Sequence, residues 1–97
     1  MILVRDVFSL KFGKARDAKA LNQELVKLIP EHEMKNYRIL FDLVGPAYTM
    51  VFESTFESLT AWEAEMSKGT MDPAWKEWYQ KFMPLVEKSY KEIFTIV

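Results

Sequence analysis

An α+β fold, with a four-stranded antiparallel sheet covered by helices on one face, is what this sequence predicts, and three observations carry the prediction. Apolar residues alternate with period two from Ile2 to Phe12. Two later segments repeat apolar residues at three- and four-residue steps, the period of a helix with one buried stripe. Between them, two strand-like runs flank Gly45 and Pro46, which reads as a hairpin.

The elements follow in chain order. Ile2, Val4, Phe8, Leu10 and Phe12 occupy even positions and Arg5, Ser9 and Lys11 odd ones, so the first strand has one apolar face, with Asp6 the exception. Gly13 ends it. Ala18, Leu21, Leu25 and Leu28 then make the apolar stripe of a helix that Pro30 closes, and 31–36 reads as loop. With Gly45–Pro46 as a two-residue turn, Val44 faces Ala47, Leu43 Tyr48, Asp42 Thr49, Phe41 Met50, Leu40 Val51, Ile39 Phe52 and Arg38 Glu53. Ser54 or Thr55 can cap a second helix whose stripe is Phe56, Leu59, Trp62 and Met66, with Gly69 as its stop. Asp72 before Pro73 is a cap and first-turn signature for a further short helix carrying Trp75, Trp78, Tyr79 and Phe82 as far as Pro84. The last strand is expected over 90–97.

The order strand, helix, strand, strand, helix, extra helix, strand is the split βαβ or ferredoxin-like pattern, in which the first and third strands are central, the fourth lies beside the first and the second beside the third. Val4, Phe8, Leu10, Ile39, Phe41, Met50, Phe52, Phe94 and Ile96 are expected to face the helices. Arg5, Val7, Ser9, Leu40, Val51, Glu53, Lys91, Ile93 and Thr95 are expected on the open face, a mixture that suits neither a dry core nor a solvated surface.

At 97 residues the chain is read as one domain, 1–97. A net charge of −1 with interleaved acids and bases lacks the clustered basic excess that phosphate binding requires, so no nucleic acid is expected. The open-face positions of the first and third strands, Arg5, Val7, Ser9, Thr49, Val51 and Glu53, also lack the stacking aromatics of an RNA-recognition sheet. No cysteine is present, which removes disulfides, thiolate nucleophiles and the usual zinc and iron–sulfur ligand sets and fits a cytoplasmic chain. No segment approaches the roughly 20 apolar residues of a membrane span. The three glycines are not clustered, so no phosphate loop is formed.

The strand Val4 to Phe12, the run Phe56-Glu57-Ser58-Leu59-Thr60-Ala61-Trp62-Glu63 and the tail from Trp75 to Ile96, with Pro84-Leu85-Val86 and Glu92-Ile93-Phe94, resemble the dimeric α/β barrel superfamily. Within it the chain is most similar to the NIPSNAP-type branch, neighbours of the small antibiotic-biosynthesis monooxygenases. The resemblance implies a homodimer whose two open sheet faces stack into a barrel, with Val7, Leu40, Val51 and Ile93 at the dimer centre and Arg38 paired with Glu53 there. A monomer with a solvated amphipathic sheet is the competing reading. The resemblance further implies a pocket inside each protomer, between sheet and helices, for a small apolar molecule, with no cofactor and, in an enzyme, oxygenase or isomerase chemistry.

Strand parity places Asp6 and Glu92 on the helix-covered face with Tyr37, Tyr48 and Tyr90, where aromatic walls would raise their pKa values and suit them to acid or base work. A bulge or strand end would instead put either acid in water. Tyr48, Trp62, Trp75 and Tyr79 are the candidate ligand-binding residues, since aromatic walls hold flat apolar molecules; the same spacing serves a plain core. His32 is the only histidine, and with Glu31 and Glu33 as loop neighbours it makes a poor cage, so no metal is expected. Haem-degrading relatives are recognised by an asparagine, a tryptophan and a later histidine, and no histidine follows His32. The alternative to a ligand-binding enzyme is a non-catalytic sensing or dimerisation module.

Overall fold

Phe82 and Trp78, carried on one short helix, anchor the core between the sheet and the helices. The computed structural model covers residues 1–97 and describes the side chains of all but 32–34 and 69–71. Strands β1 (Ile2–Leu10), β2 (Tyr37–Phe41), β3 (Thr49–Phe56) and β4 (Val86–Thr95) and helices α1 (Ala15–Val26), α2 (Leu59–Met71) and α3 (Pro73–Phe82) follow the expected order. Short 3-10 turns over Glu31–Asn36 and Met83–Leu85 lead into β2 and β4. The sheet order is β2-β3-β1-β4, all neighbours antiparallel, the ferredoxin-like arrangement.

Even residues of β1 and β3 and odd residues of β2 face the helices, because cross-strand partners share a face. Phe8, Leu10, Met50, Ile39 and Phe41 therefore meet Ala18 and Leu25 of α1 and Trp78 and Phe82 of α3. Phe82 stands edge-on to Phe8 at 5.0 Å and stacks on Trp78 at 4.9 Å, while the Trp78 indole donates to the Leu21 carbonyl at 2.7 Å. That bond removes the one polar cost of burying the indole. The close-packed core thus lies over one half of the sheet. Over the other half sits α2, whose expected stripe is only partly covered: Leu59 is 52% and Met66 40% exposed.

Several boundaries differ from expectation for local reasons. The hairpin register holds from Arg38–Glu53 to Phe41–Met50, but the reversal is a loop over 42–48 instead of a two-residue turn. Leu43 and Val44 are almost fully exposed, so nothing in the protomer holds them as strand. Asp42 ties the neck of the loop, its carboxylate accepting from the Thr49 N–H at 2.9 Å and its own N–H donating to the Thr49 carbonyl. Ser54 and Thr55 pair with Val4 and Leu3 in the sheet, and the capping role passes to Ser58, whose hydroxyl accepts from the Ala61 N–H at 3.1 Å. α2 runs to Met71 instead of stopping at Gly69, and Asp72 caps α3 as expected by accepting from the Ala74 N–H at 2.9 Å. Strand β1 ends at Leu10, two residues short of the expected Phe12.

The largest correction concerns β4. Its register sets Val4 opposite Ile93, Arg5 opposite Glu92 and Asp6 opposite Lys91. Ile93, Lys91 and Thr95 therefore lie on the helix side, and Tyr90, Glu92 and Phe94 on the open side, the reverse of the expected parity. The observed register places opposite charges across from each other twice. A slip of one residue either way would set Asp6 against Glu92 or Arg5 against Lys91, like charges directly opposed.

Candidate functional site

The two halves of the helix side differ in what they enclose. Beneath α2 lie two adjoining cavities that share Tyr37 and Glu65 as walls. One, of about 350 Å³, is bounded by Leu28, Ile29 and Pro30 after α1, by Tyr37 and Phe52 on the sheet, by Met66 of α2 and by Trp75 at the start of α3, with Glu65, Lys68 and Asp72 at its margin. The other, of about 510 Å³, extends along β2 and β3 past Thr55, Phe56, Ala61 and Ala64 toward Met1 and Lys35. Aromatic and aliphatic walls with a few charged groups at one side are the composition of a site for a small, mainly apolar molecule.

Of the residues singled out in the sequence, Trp75 lines this cavity and stacks on Trp78 at 5.5 Å. Trp62 is half-buried on α2 with the Lys91 ammonium 5.4 Å above its ring. Tyr79 is largely exposed and shares a shallow cleft with Trp75, Lys76 and Gln80. Tyr48 lies at the far end of the sheet, with φ +60°, edge-on to Phe12 at 5.2 Å and packed against the core. Tyr37, Phe52, Met66 and Leu28 join Trp75 as cavity walls beyond the expected ligand contacts. Strand parity, which puts Phe52 and Tyr37 on the helix side, is the sequence signal that points to them.

Asp6 and Glu92 do not meet. Asp6 is on the helix side in an ion pair with Lys91, next to Phe52 across the strand pair. Glu92 is on the open side, where its carboxylate accepts from Arg5 at 3.1 Å. The expected aromatic-walled pair of acids is therefore replaced by two separate ion pairs on opposite faces of the sheet. Tyr90 accompanies Glu92 to the open side.

Val7, Leu40, Val51, Arg38 and Glu53 occupy the open face as expected, and Ile93 does not. Across the middle of that face runs one row of four charges, one from each strand. Arg38 Nε donates to Glu53 Oε1 at 2.6 Å, Arg5 Nε to Glu53 Oε2 at 2.8 Å and Arg5 Nη1 to Glu92 Oε1 at 3.1 Å. Glu53 is only 6% exposed, a buried carboxylate with both oxygens occupied by guanidinium donors. Beside this row Leu40, Val51, Val7 and Tyr90 form an apolar row, with Leu3 and Phe94 on its other flank.

The His32 ligand reading falls on side chains outside the described residues. Among the described residues no group of three or more acids or histidines is placed to hold a metal ion, and no helix is long and apolar enough to cross a membrane.

A four-stranded antiparallel sheet in this order, with helices on one face, defines a ferredoxin-like α+β protein. The NIPSNAP family model matches residues 5–97, and the chain belongs to that family. Among solved structures, a protein of Agrobacterium tumefaciens superposes with a TM-score of 0.89 at 19% identity, covering 100% of this chain and 94% of that one. A NIPSNAP domain protein of Burkholderia xenovorans gives 0.82 at 14% identity, with 100% and 95% covered. A Nitrosomonas europaea protein of the antibiotic biosynthesis monooxygenase type gives 0.75 at 12% identity, with 100% and 99% covered. At these identities the likeness is one of fold. No curated protein matches the sequence.

Proposed function

We propose that the protein is a homodimer that binds a small apolar organic molecule under α2, and that binding is its primary role. The observation that carries the reading is the cavity walled by Tyr37, Phe52, Met66 and Trp75, where the helix stands off the sheet. Trp75 and Phe52 provide flat contact area, and the charged margin of Glu65, Lys68 and Asp72 orients a polar end of the ligand. Dimerisation is supported by the open face. Tyr90, Phe94 and Leu40 are 59%, 46% and 38% exposed on the same side as a buried glutamate, a surface that a second copy would cover.

Titration with the fluorescent apolar probe 1-anilinonaphthalene-8-sulfonate tests the cavity. Saturable binding that Trp75→Ala and Phe52→Ala weaken about tenfold is the expected result, and binding indifferent to both overturns it.

A catalytic version of this reading has one specific observation behind it. The Asp6–Lys91 ion pair is on the helix side of the sheet, outside the cavity lining but with Asp6 directly across from the cavity wall residue Phe52 and Lys91 against the Trp62 ring, and in an oxygenase or isomerase of this fold the Asp6 carboxylate would take the proton. Asp6→Asn would then abolish turnover while leaving probe binding intact. In a binding or sensing module the same change alters only stability.

A further inference from the structure

The charge row on the open face alternates in sign: Arg38 on β2, Glu53 on β3, Arg5 on β1 and Glu92 on β4. A row of even length and alternating sign has a symmetry property. Read against its own reversed copy, every positive position faces a negative one; read against an unreversed copy, every position faces its like. Which of these occurs depends on the two-fold axis relating the copies.

We infer that the row sets the geometry of pairing: two copies meet about a two-fold axis that runs along the strands between β1 and β3. This inference rests on the dimer reading above. Such an axis keeps each row at its own height and reverses the strand order, so the partner's β4 lies over β2 and the partner's β1 over β3. Arg38 then faces the partner's Glu92, and Glu53 faces the partner's Arg5. With sheets about 10 Å apart, these long side chains reach across, and the buried Glu53 gains further cationic neighbours. An axis across the strands at the height of this row would instead face each arginine with its own copy, in a low-dielectric interface where like charges cost most.

The neighbouring apolar row obeys the same operation. Leu40 faces the partner's Tyr90, and Val51 faces the partner's Val7, so the two most exposed side chains of the row, at opposite edges of the sheet, cover each other. The charge row acts in recognition as well as in stability, since it excludes the alternative stacking.

Inverting the whole row tests this. A variant with Arg38→Glu, Glu53→Arg, Arg5→Glu and Glu92→Arg keeps every neighbouring pair within the sheet opposite in sign. It pairs with itself about the same axis and meets the unaltered chain with like charges throughout. Native mass spectrometry of an equilibrated equimolar mixture, the variant marked by an isotope label, is expected to give two homodimers with mixed dimers below about one tenth of the total, against about one half for indifferent pairing. A statistical mixture, or an excess of mixed dimers, overturns the axis while leaving the dimer standing. Monomers of the unaltered chain overturn the dimer reading itself.

Should the fourfold variant fail to fold, single cysteines answer the same question, since the chain has none. Copies with Leu40→Cys are expected to be joined to copies with Tyr90→Cys, and not to themselves, by a short bismaleimide that spans the roughly 10 Å between facing sheets, a gap too wide for a direct disulfide. Self-cross-linking, or no cross-linking of dimeric protein, contradicts the axis.

Discussion

Arg5 and Glu92 face each other across the β1–β4 pair, with Nη1 of the arginine 3.1 Å from the carboxylate. This contact and the Asp6–Lys91 pair are the two opposite-charge matches of the observed edge-strand register. That register places Glu92 on the opposite side of the sheet from Asp6, which pairs with Lys91 among the helices. One strand register thereby divides the protein into a helix side with an apolar-walled cavity and an open side with a charge row.

The row should contribute measurably to stability. Glu53 has both oxygens bonded to guanidinium groups and little contact with water, so Glu53→Gln is expected to cost about 1.5–3 kcal/mol. The Arg38 side chain is 69% exposed, so Arg38→Ala should cost well under half as much. Urea denaturation of both variants checks the order, and a larger loss for Arg38→Ala would contradict the placement of Glu53 as the hub.

The two tryptophans of α3 should separate. Trp78 is buried and hydrogen-bonded to Leu21, and Trp78→Ala is expected to cost about 3–5 kcal/mol. Trp75 is half-buried at the cavity wall, so Trp75→Ala should cost about 1–2 kcal/mol, in the range of a partly buried stacked ring. Thermal or urea unfolding of the pair measures this, and equal losses would mean that Trp75 belongs to the core instead of the cavity.

Helix α3 owes its start to Asp72. Its carboxylate satisfies the Ala74 N–H, with Pro73 supplying the first turn, and Asp72→Ala is expected to lower stability by about 1 kcal/mol. Asp72→Asn should restore most of it. A loss that asparagine does not restore would place the effect at the cavity margin instead of the cap.

Val51 lies at the centre of the open face beside Val7 and Leu40. Val51→Lys would set an unpaired charge in the proposed interface, and the variant is expected to sediment as a monomer that retains its circular dichroism. Leu43→Lys in the exposed 42–48 loop serves as the control and should remain dimeric. An unchanged mass for Val51→Lys contradicts the open-face interface.

The fold was legible where one pattern dominated. The β2–β3 register read from Gly45–Pro46 as a two-residue turn holds from Arg38–Glu53 to Phe41–Met50 although the reversal itself is a wider loop, and the α3 cap followed from Asp72–Pro73. Strand β4 differs from the expected parity because apolar residues occur at both parities, Tyr90 and Phe94 on one and Ile93 on the other, so hydrophobic alternation cannot choose. Charge matching with β1 would have chosen correctly, since only the observed register satisfies both Arg5 and Asp6. The cavity was less legible for a different reason. The spacing of Phe56, Leu59, Trp62 and Met66 announces a face on α2 but not how closely that face packs on the sheet, and Leu59 and Met66 remain partly exposed while Trp78 and Phe82 are buried in the core.

A native mass spectrum of the freshly purified chain decides both halves of the proposed function, because it reports subunit count and bound small molecules together. A dimer that carries additional mass, or takes up an apolar probe in proportion to its subunits, is expected. A monomer that binds nothing would contradict the proposed function.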